Sequence, residues 1–577
     1  MTHSAPTVAQ AIAHALKRHG VDVIFGQSLP SAVILAAEAI GIRQIAYRQE
    51  NMGGAMADGF ARVSGRVSVV AAQNGPAATL LVAPLAEALK ASIPIVALVQ
   101  EVERPQVDKN AFQELDHVAL FASCAKWTRR LSGADRVEGY VDAAFAAAAS
   151  GRPGPAVLLL PADLLRETAV PSQFERSACY GRFPLDRIRP AEAAIEAVAR
   201  AIVAARHPVV MAGGGALSEG APEALAKLQD LAGLPVFTTN MGKGAVDERH
   251  PLSCGVLGAL VGPASLGRYT RALLAEADLI LQVGTRNNQN GTDSWRLIPP
   301  TARLVQIDID PQEIGRNYEA TRLVGTAVET LDALTEALRR MDLAARTGAR
   351  PALETRIAAA WRRFEAARAP LVQHNMSPIR PERVMAELQT LLTSDAIVAA
   401  DASYSSMWIV GQLRGLAPGM RFLTPRGLAG LGWGLPLAMG AKVAKPDAPV
   451  VALVGDGGFA HSWAELETMV RMGIALTVIV LNNGILGYQK DAETVKFGAY
   501  TTACHFAPVD HVAIARACGC VGIRVDTPSE ILPALRDALA SSRPTLIEIM
   551  TDPGAHPAIS LYDGTLDRPV TAEPELV

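Results

Sequence analysis

The strongest constraint on this chain is a regular alternation of short, β-branched apolar runs with Ala-rich stretches whose apolar residues recur at helical spacing. Candidate strands fall at 21–25, 44–47, 67–71, 93–99, 156–160, 208–211, 279–283, 304–309, 396–400, 450–454, 476–481 and 546–549. Several are apolar throughout, as expected of parallel strands covered on both faces. Strand–helix alternation of this kind predicts an α/β protein built from doubly wound parallel sheets.

At 577 residues the chain exceeds one hydrophobic core several times over, so several domains are expected. Irregular stretches at 165–193 and 341–381, each with several prolines, read as linkers. They divide the chain into units near 1–180, 190–340 and 380–555, followed by a polar tail at 556–577. A net charge of −3 gives no electrostatic case for nucleic acid or an anionic membrane. No apolar run is long enough to span a bilayer. Thr7 and Gln10 form a capping box rather than the start of a signal peptide, so the expected location is cytoplasmic. Cys518 and Cys520, near His505 and His511, match no usual metal-ligand spacing and read as ordinary thiols.

Chemistry enters at 450–485. An apolar strand ends in Gly455-Asp456-Gly457-Gly458, an amphipathic helix follows, and a second apolar strand ends in Asn482-Asn483-Gly484-Ile485-Leu486. Alone, Gly-Asp-Gly is a turn. On neighbouring parallel strands, these ends would offer a carboxylate, an amide oxygen and free backbone N–H groups at the sheet edge where ligands dock. Oxygen ligands suit Mg²⁺ or Ca²⁺, with a diphosphate completing the shell.

The whole arrangement resembles the signature of thiamine diphosphate enzymes. The resemblance implies that Asp456, Asn483 and the Ile485 carbonyl bind Mg²⁺, which in turn holds the cofactor. It also implies three domains, binding the pyrimidine, a nucleotide-like ligand and the diphosphate. Glu50 follows a strand and opens a Gly/Ala-rich helix; it resembles the glutamate that hydrogen-bonds the aminopyrimidine from a partner subunit, which implies a homodimer or homotetramer. The loop of Gly430 and Leu431 resembles the segment that props the cofactor into its bent shape. Tyr404 and Ser405, after another strand, are placed to cradle the diphosphate.

Resemblance to the acetolactate synthase, oxalyl-CoA decarboxylase and 2-hydroxyacyl-CoA lyase group covers nearly the whole chain, including Ala111-Phe112-Gln113-Glu114. In the middle unit, residues 212–215, 284–286 and 307–311 resemble a crevice where relatives hold FAD, ADP or part of coenzyme A. Two departures from acetolactate synthases bear on the substrate. Asn290 stands where those enzymes carry an arginine that grips a keto acid's carboxylate, and Ala492 stands where they carry a pocket-shaping tryptophan. A roomier, less acid-specific pocket favours cleavage of a 2-hydroxyacyl-CoA to formyl-CoA and an aldehyde or ketone. Glu493 would then be the acid/base, with Tyr488 and Gln113 as further catalytic candidates. The alternatives are a carboligase or decarboxylase acting on 2-keto acids, or an inactive regulatory or nucleotide-binding relative.

Overall fold

The computed structural model describes residues 5–563 and 566. Its frame is three six-stranded sheets, parallel throughout, with helices on their faces. The N-terminal sheet contains β1 (Val23–Gly26), β2 (Arg43–Ile45), β3 (Ser68–Ala72), β4 (Ile95–Glu101), β5 (Trp127–Arg130) and β6 (Ala156–Pro161), in the order β2-β1-β3-β4-β6-β5. The central sheet contains β7 (Pro208–Ala212), β8 (Val236–Thr238), β9 (Ser253–Val256), β10 (Leu279–Val283), β11 (Arg303–Asp308) and β12 (Thr321–Val324), in the order β12-β11-β10-β7-β8-β9. The C-terminal sheet contains β13 (Ile397–Ala400), β14 (Arg421–Leu423), β15 (Val450–Gly455), β16 (Thr477–Asn482), β17 (Val521–Val525) and β18 (Thr545–Met550), in the order β14-β13-β15-β16-β18-β17.

Every strand expected from the sequence is present, with ends displaced by at most two residues. The sequence reading missed β5, β8, β9, β12, β14 and β17, and all of these except β8 lie on sheet edges. An edge strand is covered on fewer sides, so it tolerates short length and polar residues. Arg129 and Arg130 of β5 are exposed, as is Arg524 of β17.

The stretch 341–381 is not an irregular linker. Its main part is a 29-residue helix, Ala344–Val372, with Ile357, Ala360 and Phe364 buried. Alanine and arginine favour helix strongly, but so few buried apolar positions leave almost no periodic signal. The expected polar tail also begins as packed structure. Ile559 and Tyr562 are buried in the core of the C-terminal sheet; residues 564, 565 and 567–577 of that tail lie outside the described residues.

The N- and C-terminal sheets share one hydrophobic core, formed where helix Glu50–Ser64 packs against helix Gly434–Ala444. Two glycines permit the close approach. A Cβ on Gly59 would lie 2.1 Å from the Leu437 carbonyl oxygen, and one on Gly440 would lie 1.8 Å from that of Met56. This contact fixes the helix that begins at Glu50.

Candidate cofactor and metal site

β15 and β16 are hydrogen-bonded neighbours, with Gly455 opposite Leu481, so Asp456 and Asn483 emerge side by side at the carboxyl edge. The Asp456 carboxylate accepts the Gly484 N–H at 2.9 Å, which ties the two strand ends together. Burial holds the Asp456 carboxyl above the usual carboxylate range. Asn482 turns the other way: its amide donates to buried Glu548 at 2.7 Å, and Glu548 also pairs with His511 at 2.8 Å. Asn483 faces the cavity, and its side-chain oxygen accepts the Ile485 N–H at 3.2 Å. The Ile485 carbonyl accepts the Gly487 N–H at 2.9 Å.

One cavity is lined by Tyr404, Ser405, Leu431, Gly455, Asp456, Gly457, Gly458, Asn483, Ile485 and Leu486. Helices Tyr404–Gln412, Asp456–Phe459 and Gly487–Phe497 all begin on its wall, so their free N–H groups and positive dipole ends converge there. Gly430 lies just outside, against the Trp433 ring. Leu431 is 39% exposed at the rim, an apolar side chain left for a ligand to cover.

This donor set fits Mg²⁺ and thiamine diphosphate. Among the described residues no three His, Cys, Asp or Glu side chains cluster to hold a metal by themselves. One carboxylate, one amide oxygen and one carbonyl make a partial shell for a hard cation, which phosphate oxygens complete. Cys520 is a buried thiol pushed up to about 11.

The other expected residues lie elsewhere. Glu50 opens its helix without lining this cavity. Gln113 accepts from Gln73 at 2.7 Å within the N-terminal unit. Tyr488 packs edge-on against Tyr404, with ring centroids 5.9 Å apart. Glu493 lies outside the cavity on helix Gly487–Phe497. It accepts from Gln489 and from the Thr501 N–H, both at 2.7 Å, and those bonds hold its carboxyl below the usual range.

Residues 214, 215, 284–286 and 307–309 do share a wall, lining a second cavity of about 220 Å³ where the three units meet. There burial pushes Asp308 up to about 6. Asn290 and five arginines (62, 152, 286, 421 and 426) line the same space.

Three organising carboxylates escaped the sequence reading. Asp401 accepts the N–H groups of Gly432 (3.0 Å) and Trp433 (3.1 Å), fixing the turn after Leu431. Glu465 accepts the N–H groups of Arg48 (3.0 Å) and Gln49 (3.2 Å), anchoring the start of Glu50's helix on the C-terminal unit. Glu87 does the same for the loop at 427–429. Each is buried, yet each stands in a sequence segment that reads as ordinary helix or loop. Their partners are backbone groups far away in the chain, which leave no local pattern.

Among the described residues no helix is long and apolar enough to cross a membrane. Three family profiles match the chain: the N-terminal TPP binding domain of thiamine pyrophosphate enzymes over residues 6–120, their central domain over 195–334, and their C-terminal TPP binding domain over 401–549. A probable acetolactate synthase large subunit from Methanocaldococcus jannaschii is 31% identical, covering 98% of this chain and 96% of that protein. An acetolactate synthase from Mycobacterium bovis is 32% identical over 98% of this chain and 91% of its own length. An acetolactate synthase large subunit from Parasynechococcus marenigrum is 34% identical over 94% and 87%. With its strand-end donors gathered at one cavity and all three domains matched in order, the chain belongs to the thiamine diphosphate-dependent enzymes of the acetolactate synthase superfamily.

Proposed function

We propose that the protein is a carboligase of the acetolactate synthase kind, acting on 2-keto acids with thiamine diphosphate and Mg²⁺. The observation that supports it most is the single cavity where a carboxylate, an amide, a backbone carbonyl and three helix N-termini converge, in a chain similar to acetolactate synthases along almost its whole length. The relatives' names favour this reading over cleavage of a 2-hydroxyacyl-CoA.

When bound, the cofactor supplies a nucleophilic carbon and an electron sink beside the substrate carbonyl. Asp456, Asn483 and the Ile485 carbonyl would hold the metal, while the N–H groups around Ser405 and Gly457 receive the diphosphate. Leu431, exposed at the rim, would pack against the bound ring. Glu50 does not line its own chain's cavity, so we assign it to the cavity of a second copy, where its carboxyl exchanges a proton with the cofactor's ring nitrogen. A homodimer is then the smallest active unit.

The test is to incubate purified protein with pyruvate, thiamine diphosphate and Mg²⁺. Acetolactate formation is expected. Formyl-CoA release from 2-hydroxyacyl-CoA substrates, with no acetolactate from pyruvate, would replace this reading by the lyase.

A further inference from the structure

We propose that Arg426 is the group that binds the carboxylate of the acid substrate, replacing the guanidinium that is missing at position 290. The inference rests on the 2-keto acid reading and adds a residue to it.

Of the five arginines on the large cavity, Arg62 is paired with Asp58 and Glu87, and Arg152 with Glu313 and Asp310. Arg286, Arg421 and Arg426 have no ion-pair partner among the described residues, and of these three only Arg426 has a buried guanidinium nitrogen without an acceptor. Its Nη2 donates to the Ser406 hydroxyl, and its Nε is buried with no acceptor at all. Burial brings its pKa down to about 10, outweighing the charges of Tyr488 and Glu87 that act the other way. The one carboxylate whose charge reaches it is already committed. Glu87 lies beside Arg62 and accepts the N–H groups of Gly427 (2.6 Å), Leu428 and Ala429 (3.3 Å), the residues directly after Arg426. The chain thus fixes the backbone beside this arginine with a carboxylate that forms its ion pair with Arg62 instead. A half-buried guanidinium whose Nε is sealed from solvent with no acceptor is a receptor for a planar anion.

Position specifies which anion. Arg426 and Asn290 line the same cavity, so the charge absent at 290 can be supplied from across that space. Arg426 also stands at the wall between the two cavities. Its partner Ser406 adjoins Ser405 on the Asp456 cavity, and Leu431 of that cavity lies five residues further along the same loop. A carboxylate on Arg426 would sit beside Ser406 and the loop that carries Leu431 into the Asp456 cavity, whereas a nucleotide phosphate would fit better against Arg286 and the glycines at 214 and 215.

The test uses the holoenzyme loaded with thiamine diphosphate and Mg²⁺, and calorimetric titration with oxamate, a non-reacting carboxylate, and separately with ADP. Arg426→Gln should weaken oxamate binding roughly 10- to 100-fold and raise KM for pyruvate by a similar factor, with kcat changed far less. Thiamine diphosphate and ADP affinities should stay within about twofold, as expected of a residue that touches neither ligand. Arg426→Lys keeps the charge without the two-pronged geometry and should fall between, and Asn290→Arg in the Arg426→Gln background should recover part of the loss. The proposal is overturned if wild-type protein does not bind oxamate, if Arg426→Gln binds it unchanged, or if ADP or the cofactor loses affinity instead. Should oxamate binding depend on Arg426 while pyruvate is not turned over, the anion site stands and the carboligase assignment falls.

Discussion

The N- and C-terminal sheets have the same strand order: β2-β1-β3-β4-β6-β5 in one, β14-β13-β15-β16-β18-β17 in the other. Counted from its own first strand, each therefore brings its third and fourth strands to neighbouring places at the carboxyl edge. What stands there differs. In the N-terminal sheet, β3 runs on to Gly75, whose N–H donates to His117 at 3.0 Å, and β4 ends in Glu101, which pairs with His117 at 3.4 Å and Arg130 at 3.0 Å. That edge closes on itself. In the C-terminal sheet, Asp456 receives one N–H from the neighbouring strand end and Asn483 points into open space. Topology supplies the location twice, and whether polar groups there satisfy one another decides which copy is left to hold a metal and diphosphate.

The most severe way to break the contrast is to remove the open carboxylate. Asp456→Ala should weaken Mg²⁺-dependent thiamine diphosphate binding on the order of 10³-fold, measured by calorimetry, with activity lost in parallel. The milder Asp456→Asn should raise the melting temperature of the metal-free protein, because it removes a buried charge whose N–H partners do not offset its burial. A lower melting temperature would show that the carboxylate is already satisfied without a cation.

Glu50 tests the other copy's contribution. Glu50→Gln keeps the shape and removes the proton exchange, so turnover should fall roughly 10²- to 10⁴-fold while cofactor affinity changes little. Mixing Glu50→Gln with Asp456→Ala protein should restore some activity if the two groups meet across a dimer interface. No recovery in verified mixed dimers would place both in one chain's site.

The closed edge predicts a stability effect without a catalytic one. Burial alone would raise Glu101, but hydrogen bonds from His117 and Arg130 together hold its carboxyl below its ordinary value of 4.5. Its stabilisation is therefore complete above that value and disappears as the pH drops through the lower, folded-state pKa. Glu101→Gln should cost about 1–3 kcal/mol near neutrality, seen as a lower melting temperature, and the penalty should shrink in acid. A penalty independent of pH would mean that packing, not the charge, closes this edge.

How much of this was legible depends on where each partner lies in the chain. Covered strands such as β15 and β16 announce themselves as unbroken apolar runs, and Asp456 and Asn483 stand at their ends, so fold and metal-site candidates are readable together. Edge strands such as β12 and β17 mix exposed and buried residues too irregularly to register. The 29-residue helix has the composition of a helix but the periodicity of none. Glu493 falls in the right loop by spacing, yet its side chain bonds to Gln489 and Thr501, because a helix face cannot be assigned before its packing is known. Arg426 reads as one residue of a Gly-rich loop until its lack of a counter-charge is visible.

The smallest expected effect concerns how the open edge is covered. Tyr562, from the segment beyond β18, meets Tyr404 at 2.8 Å, and Tyr404 meets Asp491 at 2.6 Å, all three buried beside the Asp456 cavity. A hydroxyl has one proton. If Tyr404 donates to Asp491, Tyr562 must donate to Tyr404. Tyr562→Phe then removes one neutral bond and leaves the charge-assisted one, costing about 0.5–1.5 kcal/mol, or roughly two- to tenfold in cofactor affinity if this segment steadies the cavity wall. Tyr404→Phe removes both bonds and leaves Asp491 buried without its donor, so it should cost more. Equal losses from the two variants would instead mean that the C-terminal segment, rather than Asp491, holds Tyr404 in place.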